Sequence, residues 1–583
     1  MLVIGISDSH NSTAALYDDG RLVAAVAEER LKRVKNWMGF PEQSIRECLR
    51  IAGRRLEDVD LVALTGLVNP YPYHSREDII NTFRNSKSGA LDRGKRALTE
   101  AVYKGKLKDL YHSTNLWKQR DRERWRQRVG GILSLGVPEE KAVIVEHHMA
   151  HASAAYYGWG RFDEDILVLT NDGGGDSLCA TVNVGRAGKI ERLAEVHWWE
   201  SVGMLYGMVT CLLGMVPLEH EYKVMGMAPY AEAKGAERVC ADLKKLFEFD
   251  GRDRIVWKRR EPCPETYRSY DFLKELFDLK RFDWVCGGVQ RFLEEFISEW
   301  VSNCVRATGI RKVALSGGLF MNVKLNKIIT ELPEVDELFV FPSCGDETNA
   351  IGAAYNAYAE RAGCRTMQPL GDFYTGSEYT DGQIANAIKE YAFKHRVSVT
   401  QPDDMEEAVA RLLASGEVVA RFNGREEFGA RAMGNRSILA DPSRPEVVKI
   451  INDAIKSRDF WMPFAPSVLD RRAGDYFVNP KNVPAPYMIL AFDSTEKITE
   501  FRGASHPYDL TIRPQVVYKE WNPSYYALLE AFERHTGRGI ILNTSFNLHG
   551  FPIVSYPQDA LHVLDESGLR WLAIGGHLVH KED

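Results

Sequence analysis

The stretch Ile166-Leu-Val-Leu-Thr170-Asn171-Asp172-Gly173-Gly174-Gly175-Asp176-Ser177 decides the fold of this chain. Its first part is an apolar run of strand length, and its second part is small and polar, as is typical of a tight loop. A further strand follows, and Arg186-Ala187-Gly188 then marks the turn of a hairpin. The stretch therefore predicts a strand, a loop large enough for a phosphate group, and a hairpin.

The same order of features occurs at the start of the chain. Leu2 to Ile6 predicts a strand that leads into the polar run Ser7 to Ser12, and Asp18-Asp19-Gly20 separates two further strands. Asp-Gly between apolar runs is a strong hairpin signal, because glycine adopts positive φ at little steric cost. A strand, a loop and a hairpin that occur twice are the outline of the actin-like ATPase fold (ASKHA), a duplicated ribonuclease-H-like unit.

The two loops suit a nucleotide, since small residues let backbone N–H groups approach phosphate oxygens. The alternative is that the glycines only form hairpin turns. A third element favours the nucleotide: Val313 to Leu315 predicts a strand that ends in a Gly-Gly turn, which in actin-like ATPases lies against the adenosine. The predicted nucleotide-binding residues are Gly173, Gly174, Ser316, Gly317, Gly318 and Asn322, with Lys223 either meeting a phosphate or pairing with Glu219.

His147 and His151 lie four residues apart in an alanine-rich segment without glycine or proline, which predicts a helix from His147 to Tyr157. Two side chains at this spacing share one face and can bind one divalent ion, whereas His148 points elsewhere. Two ordinary histidines on a polar face are the alternative. Candidate acidic ligands are Asp172 or Asp176 in the glycine-rich loop, and Asp346, which otherwise caps the helix that follows it.

Length and composition restrict the class of protein. A chain of 583 residues predicts two or more domains, and 45% hydrophobic with 27% charged residues is an ordinary globular balance. The net charge of −7 gives no support for nucleic acid or an anionic membrane as a partner, and the apolar runs are too short for a membrane span. The strand pattern at the start argues against a signal peptide, and nine scattered cysteines suit a reduced, cytoplasmic enzyme.

The pattern changes between Arg361 and Asp381, where glycine, proline and Thr-Gly-Ser clusters predict a domain boundary. We place one domain at 1–365, with a polar, basic, helical insertion at about 70–130, and a second at 366–583. In the second domain strands and helices alternate, which predicts a compact α/β unit. These elements are Val418 to Phe422, Glu446 to Lys456, Tyr487 to Phe492 and Gly539 to Leu542.

Basic residues in the second half cluster in polar turns, at Arg425, Arg431, Arg436, Lys456, Arg458 and Arg513. Arginines flanked by glycine suit bidentate contacts with phosphate or carboxylate. The run Asn543 to Asn547 follows a strand and adds hydroxyl and amide donors. A single arginine usually forms a surface ion pair, but this combination favours a site for a small polyanion.

Taken together, these residues are similar to those of O-carbamoyltransferases of the nodulation and antibiotic-biosynthesis group. The resemblance spans nearly the whole chain, with shared motifs at His10-Asn-Ser12 with Ala14-Ala-Leu16, Glu28 to Lys35, His147 to His151, Glu221 to Gly226, Ser316 to Asn322, Gly345-Asp346, Phe428 to Ser437, Pro463 to Pro466 and Asn543 to Asn547. It implies an actin-like metal- and nucleotide-binding domain followed by a YrdC-like α/β domain.

The resemblance also implies a reaction. The YrdC-like domain binds carbamoyl phosphate and splits it to carbamate, which attacks the α-phosphate of ATP to give carbamoyl adenylate and pyrophosphate. The other domain transfers the carbamoyl group to a hydroxyl of a small-molecule acceptor, such as a natural product or sugar. Carbamate is labile in water, so activation within an enclosed channel limits its loss.

Roles for individual residues follow from the resemblance. Arg431, Lys456, Arg513, Ser545 and Asn547 hold carbamoyl phosphate, with Met488 lining that pocket, and His147, His151, Asp172 and Asp346 ligate a divalent metal. The resemblance implies that this metal is Fe(II). Zn(II) and Mn(II) are also chemically suitable, and Mg²⁺ can accompany ATP. His10 is the expected general base toward the acceptor hydroxyl, with Lys35 near the intermediate.

Two positions depart from the family pattern: Asn11 stands where an aspartate is usual, and Met462 where an arginine commonly precedes Pro-Phe-Ala-Pro. Three other classes compete. A threonylcarbamoyl-type tRNA-modification enzyme requires a basic surface, and a hydrogenase-maturation carbamoyltransferase requires an acylphosphatase domain and paired zinc-binding cysteines. A non-catalytic nucleotide-dependent scaffold would lack the ligand and arginine positions, which are present here.

Overall fold

The computed structural model describes residues 1–70, 75–85, 115–456 and 459–582. In the first half these residues form strands β1 Leu2–Ser7, β2 Thr13–Asp18, β3 Arg21–Ala27, β4 Leu61–Thr65, β5 Ala142–Val145, β6 Ile166–Gly175, β7 Leu178–Arg186, β8 Lys189–His197, β9 Phe247–Asp250, β10 Val256–Arg259, β11 Lys312–Ser316 and β12 Glu337–Val340.

Two five-stranded sheets repeat one design. The first has the order β3-β2-β1-β4-β5 and the second has the order β8-β7-β6-β11-β12. In each sheet, the first three strands of this order form an antiparallel meander, and the last two run parallel to the central strand, which is β1 or β6. The described residues thus contain the duplication that the sequence predicts, since strands at equivalent positions follow in the same order and direction.

Helices cover these sheets. They are α1 Glu28–Lys32, α2 Glu42–Ala52, α3 Arg76–Arg84, α4 Asn115–Arg128, α5 Gly130–Ser134, α6 His147–Trp159, α7 Val202–Leu212, α8 Glu221–Met227, α9 Ala233–Lys244, α10 Tyr270–Leu276, α11 Phe282–Thr308, α12 Val323–Glu331 and α13 Asn349–Ala362. Helices α6 and α13 pack closely, because a Cβ on Gly352 would lie 1.9 Å from the carbonyl oxygen of Ala150. This contact brings the histidines of α6 next to the start of α13.

Some predictions for the first half need adjustment. Strand β6 does not end at Thr170 but runs through the glycines to Gly175, which pairs with Leu178 beyond a bulge. The predicted insertion contains helices α3 and α4, whereas another segment that we predict to be helical, Lys104 to Lys108, lies outside the described residues. None of the described helices combines the length and apolar character needed to cross a membrane.

The second half is built on one mixed eight-stranded sheet, of order β13-β22-β21-β14-β15-β20-β16-β19. The strands are β13 Val397–Thr400, β14 Val419–Phe422, β15 Arg436–Ala440, β16 Ala465–Leu469, β17 Phe477–Val478, β18 Asp493–Ser494, β19 Gln515–Val517, β20 Ile540–Ser545, β21 Trp571–Ile574 and β22 His577–Lys581. The helices are α14 Asp381–Glu390, α15 Met405–Ser415, α16 Pro445–Ile451, α17 Ala473–Tyr476, α18 Pro523–Thr536 and α19 Pro557–Glu566.

The predicted strand from Tyr487 to Phe492 is wrong. Met488 has a φ of 55°, which breaks an extended run, and only Phe492 makes a bridge, to Ile512. The predicted helix at 446–456 is α16 followed by a π-helical turn, Asn452–Lys456. Strand β20 extends to Ser545, so Asn543 lies within the strand rather than after it.

The predicted domain boundary falls in a segment between α13 and α14 that contains no regular element. The two halves share apolar contacts across it, because the Phe341 ring packs edge-on against Phe373, which packs edge-on against Phe428. The division at 365/366 stays a prediction.

Candidate functional site

Four predicted ligands lie together at the ends of adjoining elements. One donor atom from each of His147, His151, Asp172 and Asp346 lies within 4.8 Å of the others. His147 Nε2 is 3.3 Å from Asp172 Oδ2 and 3.5 Å from Asp346 Oδ1. His151 Nε2 is also 3.5 Å from Asp346 Oδ1. The two histidines belong to α6, Asp172 to β6, and Asp346 to the loop before α13.

Local structure fixes the orientation of these side chains. The Glu146 carboxylate caps α6 by accepting hydrogen bonds from the N–H groups of His148 and Met149, both at 2.8 Å. His148 points away from the cluster, as predicted, with Nδ1 2.8 Å from Thr170 Oγ1. Asp172 Oδ1 accepts the Gly318 N–H at 2.8 Å, which leaves Oδ2 for the cluster.

The donor set fits a divalent transition metal. Two imidazoles and two carboxylates suit iron, zinc or manganese. The buried Oδ1 of Asp346 accepts no hydrogen bond from a residue in the described ranges. Burial opposes protonation of His147, but Asp346 and Asp172 outweigh it and raise its pKa to about 10. Burial likewise opposes ionisation of Asp172, yet His147 and His151 hold the pKa of this carboxyl well below its usual range.

A cavity of about 990 Å³ extends from this cluster to the second half of the chain. Most of the predicted site residues line it: His10, Lys35, His147, Asp172, Gly173, Gly174, Lys223, Gly318, Asn322, Asp346, Arg431, Arg513, Ser545 and Asn547. Three of the four predicted metal ligands therefore face the same cavity as these anion-binding residues, although the two sets lie in different halves of the sequence. The fourth, His151, is fully buried and does not line the cavity.

Some other predicted site residues do not line the cavity. Ser316 Oγ lies 3.2 Å from His151 Nδ1 and so orients that ring. Gly317 has a φ of 111°, and a Cβ there would lie 2.2 Å from the Asn171 carbonyl oxygen, so this turn requires glycine. Met488 is buried and does not line the cavity. The side chain of Lys456 lies outside the described part of the chain.

His10 faces the cavity, and its Nε2 has no hydrogen-bond partner within the described ranges. Burial lowers the pKa of His10 although Asp346 and Asp172 oppose this, so the ring is neutral near pH 7. Asn11 has a φ of 61°, a left-handed conformation that asparagine tolerates better than most residues. Lys35 Nζ lies 3.8 Å from Glu219 Oε1 on the cavity wall.

Lys223 forms an ion pair, but not with the predicted partner. Its Nζ lies 3.0 Å from Asp459 Oδ2, in the second half, while Glu219 pairs with Arg76 at 2.6 Å. Met462 lines the cavity, and its sulfur would lie 3.4 Å from a Cβ on Gly226.

The sequence did not single out several residues at this site. The amide nitrogen of Asn349 lies 3.2 Å from His151 Nε2 and 3.5 Å from His147 Nδ1. Glu347 lines the cavity beside Asp346, and burial raises its pKa to about 7. Asn349 begins α13 three residues after Asp346, so a polar residue at that position was an available signal.

Comparisons with known proteins identify the family of this chain. Residues 2–355 match a family model described as "Carbamoyltransferase N-terminus", and residues 410–581 match one described as "Carbamoyltransferase C-terminus". The "Uncharacterized protein sll1178" of Synechocystis is 30% identical over 99% of this chain and 96% of its own length. The "Nodulation protein NolNO" of Sinorhizobium fredii is 31% identical over 98% of this chain and 79% of its own length.

A relative with a named activity matches part of the chain. The "3'-hydroxymethylcephem-O-carbamoyltransferase" of Amycolatopsis lactamdurans is 29% identical over 45% of this chain and 47% of its own length. The two family models together cover both halves of the cavity wall, from His10 to Asn547. The resemblance drawn from the sequence is thereby confirmed, and the chain belongs to the carbamoyltransferase family.

Proposed function

We propose that this carbamoyltransferase makes carbamoyl adenylate from carbamoyl phosphate and ATP, and then transfers the carbamoyl group to a hydroxyl of a small molecule. The observation that carries the proposal is one cavity that has His147, Asp172 and Asp346 at one part of its wall and Arg431, Arg513, Ser545 and Asn547 at another. A relative named as an O-carbamoyltransferase supports a hydroxyl as the acceptor.

The architecture supports the same assignment of domains. Two sheets with one strand order support an actin-like, ribonuclease-H-like unit for residues 1–365. The mixed eight-stranded sheet, whose strand β20 delivers Ser545 to the cavity, supports a YrdC-like unit for residues 366–583.

Adenylate formation belongs to the arginine side of the cavity. Two guanidinium groups and the donors of Ser545 and Asn547 can hold the phosphate of carbamoyl phosphate while water cleaves it to carbamate and phosphate. A carbamate oxygen then attacks the α-phosphorus of ATP, and pyrophosphate leaves. Because both steps take place within the cavity, the carbamate is less exposed to bulk water before this bond forms.

Transfer belongs to the histidine side. The neutral imidazole of His10 accepts the proton of the acceptor hydroxyl, whose oxygen attacks the carbamoyl carbon as AMP leaves. The backbone of Gly173, Gly174 and Gly318 is open to the nucleotide phosphates, and Lys35 adds a positive charge nearby. A divalent metal held by His147, His151, Asp172 and Asp346 supplies, when bound, charge that neutralises those phosphates.

The test is to incubate the protein with ATP and carbamoyl phosphate, and to measure carbamoyl adenylate by mass spectrometry together with pyrophosphate release. Arg431→Ala and Arg513→Ala should each slow pyrophosphate release about 10- to 100-fold, the effect of losing a hydrogen bond to a charged group. Arg411→Ala is the matched control, because Arg411 is an exposed residue of α15 paired with Glu407. A wild-type protein that makes no intermediate, or arginine variants that match the control, would contradict the proposal.

A further inference from the structure

Ser343 connects the two halves of the chain through one hydroxyl group. It is buried in the loop between β12 and Asp346 and has a φ of 52°. Its Oγ donates a hydrogen bond to Glu347 Oε1 and accepts the Ala430 N–H at 3.0 Å. A hydroxyl is suited to this place, because it donates and accepts at the same time.

The two partners of Ser343 each adjoin a predicted ligand. Glu347 follows Asp346, whose carboxylate faces the metal cluster. Ala430 precedes Arg431, which faces the arginine side of the cavity. One hydroxyl therefore joins the side chain of the residue next to a predicted metal ligand with the backbone next to a predicted carbamoyl-phosphate ligand.

The loop that carries Arg431 is held from the other side as well. The Arg30 guanidinium, in the first half, donates to the carbonyl oxygens of Glu427 at 2.6 Å and Gly429 at 2.5 Å. Gly429 has a φ of 89°, and a Cβ there would lie 2.4 Å from the Ser343 Cβ. Glycine thus allows the loop to approach Ser343 closely enough for the hydroxyl contact.

We propose that Ser343 is a positioning residue whose hydroxyl couples occupancy of the metal site to the geometry of the Arg431 loop. This inference rests on the proposed function, since it takes the two clusters to be a metal site and a carbamoyl-phosphate site. A metal that fixes Asp346 also fixes Glu347 and Ser343, and through Ser343 the Ala430–Arg431 backbone. Metal then strengthens the binding of carbamoyl phosphate, and by linkage carbamoyl phosphate strengthens the binding of metal.

The coupling can be measured by calorimetric titration of carbamoyl phosphate into full-length protein, both stripped of metal and loaded with Mn²⁺. In the wild type we expect Mn²⁺ to lower the Kd for carbamoyl phosphate about fivefold or more, the usual scale of coupling between sites. In Ser343→Ala we expect that ratio to fall to about one, while each ligand still binds on its own.

Two further variants separate the hydroxyl from the backbone. Ser343→Gly also removes the hydroxyl, but glycine suits a φ of 52° better than alanine does. This variant should therefore lose the coupling as Ser343→Ala does, and it should be at least as stable as Ser343→Ala. Glu347→Gln keeps an acceptor oxygen for Ser343 and should retain the coupling, whereas Glu347→Ala should lose it.

The outcomes are distinct. A fivefold ratio that survives in both Ser343 variants, or a wild-type ratio of one, overturns the inference while the proposed function stands. A wild-type protein that binds no carbamoyl phosphate in either state overturns the proposed function and the inference with it.

Discussion

Lys223 Nζ lies 3.0 Å from Asp459 Oδ2, and this ion pair joins the two halves of the chain on the wall of the cavity. The side chains are 16% and 33% exposed, so water in the cavity screens the charges. Such a pair contributes within about 1 kcal/mol to stability. Exchange of this carboxylate for a phosphate group would therefore cost little.

The first prediction separates these two roles of Lys223. If the lysine binds a phosphate of ATP, Lys223→Met should raise the KM for ATP about 10- to 100-fold through loss of a hydrogen bond between charged groups. Asp459→Asn should leave that KM unchanged or lower it, because the lysine loses its competing carboxylate. Pyrophosphate release as a function of ATP concentration is the measurement, and an equal rise in both variants would show that the pair only joins the halves.

The second prediction concerns the metal. His151→Ala removes one of four donor groups and should lower metal affinity by at least the 10- to 100-fold that loss of an outer partner typically costs. Metal content by elemental analysis after dialysis against a fixed concentration of Mn²⁺ measures this loss.

His148→Asn is the matched control for that experiment, since His148 lies on the same helix but faces Thr170. An asparagine oxygen can take the place of Nδ1 in that contact. Equal metal content in the two variants would contradict the cluster assignment.

The predictions that succeeded rest on local patterns. Two histidines four residues apart share a helix face, and the structure places His147 and His151 on one helix, α6. The residues alone left Asp172 or Asp176 open as a ligand and gave Asp346 a helix cap as its alternative role, so the set of four came from the resemblance to the family. That these four side chains bind a metal stays a prediction. Glycine's tolerance of positive φ predicted the hairpin turns of both repeats, at Gly20 and Gly188, where φ is 88° and 78°.

The failures have an equally physical cause. Lys223 pairs with a residue more than two hundred positions away, and no periodicity encodes that choice of partner. The apolar run at Tyr487 has the composition of a strand, but a left-handed residue at Met488 breaks it, and tertiary packing rather than propensity decides this. Ser343 and Ala430 likewise meet only because the halves pack together.

The third prediction is a dependence of stability on pH through Glu221. This carboxyl lines the cavity, and burial raises its pKa to about 7. The folded protein therefore binds this proton more tightly than the unfolded chain does, so stability falls as pH rises from about 4.5 through about 7. Screening by water in the cavity limits the loss to roughly 1–2 kcal/mol.

The measurement is the urea midpoint at intervals between pH 5 and pH 8 for the wild type and Glu221→Gln. The variant should lack this component, so the difference between the two curves should grow with pH. Glu42→Gln, at an exposed carboxylate paired with Arg46, should follow the wild type throughout. A difference that is constant with pH would assign Glu221 an ordinary pKa.

The fourth prediction tests the clamp that Arg30 forms on the second half. Arg30 and Glu426 form an ion pair with each other. Each side chain is 3% exposed, so neither charge has access to bulk water. Arg30→Met leaves the Glu426 carboxylate buried with the Ser555 hydroxyl as a remaining donor at 2.7 Å. Removing one partner of such a pair typically costs about 3–5 kcal/mol, so the urea midpoint should fall markedly.

The double variant Arg30→Met with Glu426→Gln should recover part of this loss, because it removes the uncompensated charge. Arg54→Met is the matched control, since Arg54 is 48% exposed and pairs with Asp18 at the surface, where loss of the pair costs within about 1 kcal/mol. If the urea midpoint of Arg30→Met falls no further than that of this control, the Arg30 contacts do not hold the Arg431 loop in place. The position of that loop would then depend on Ser343, and the Ser343 variants should show a correspondingly larger loss of carbamoyl-phosphate binding.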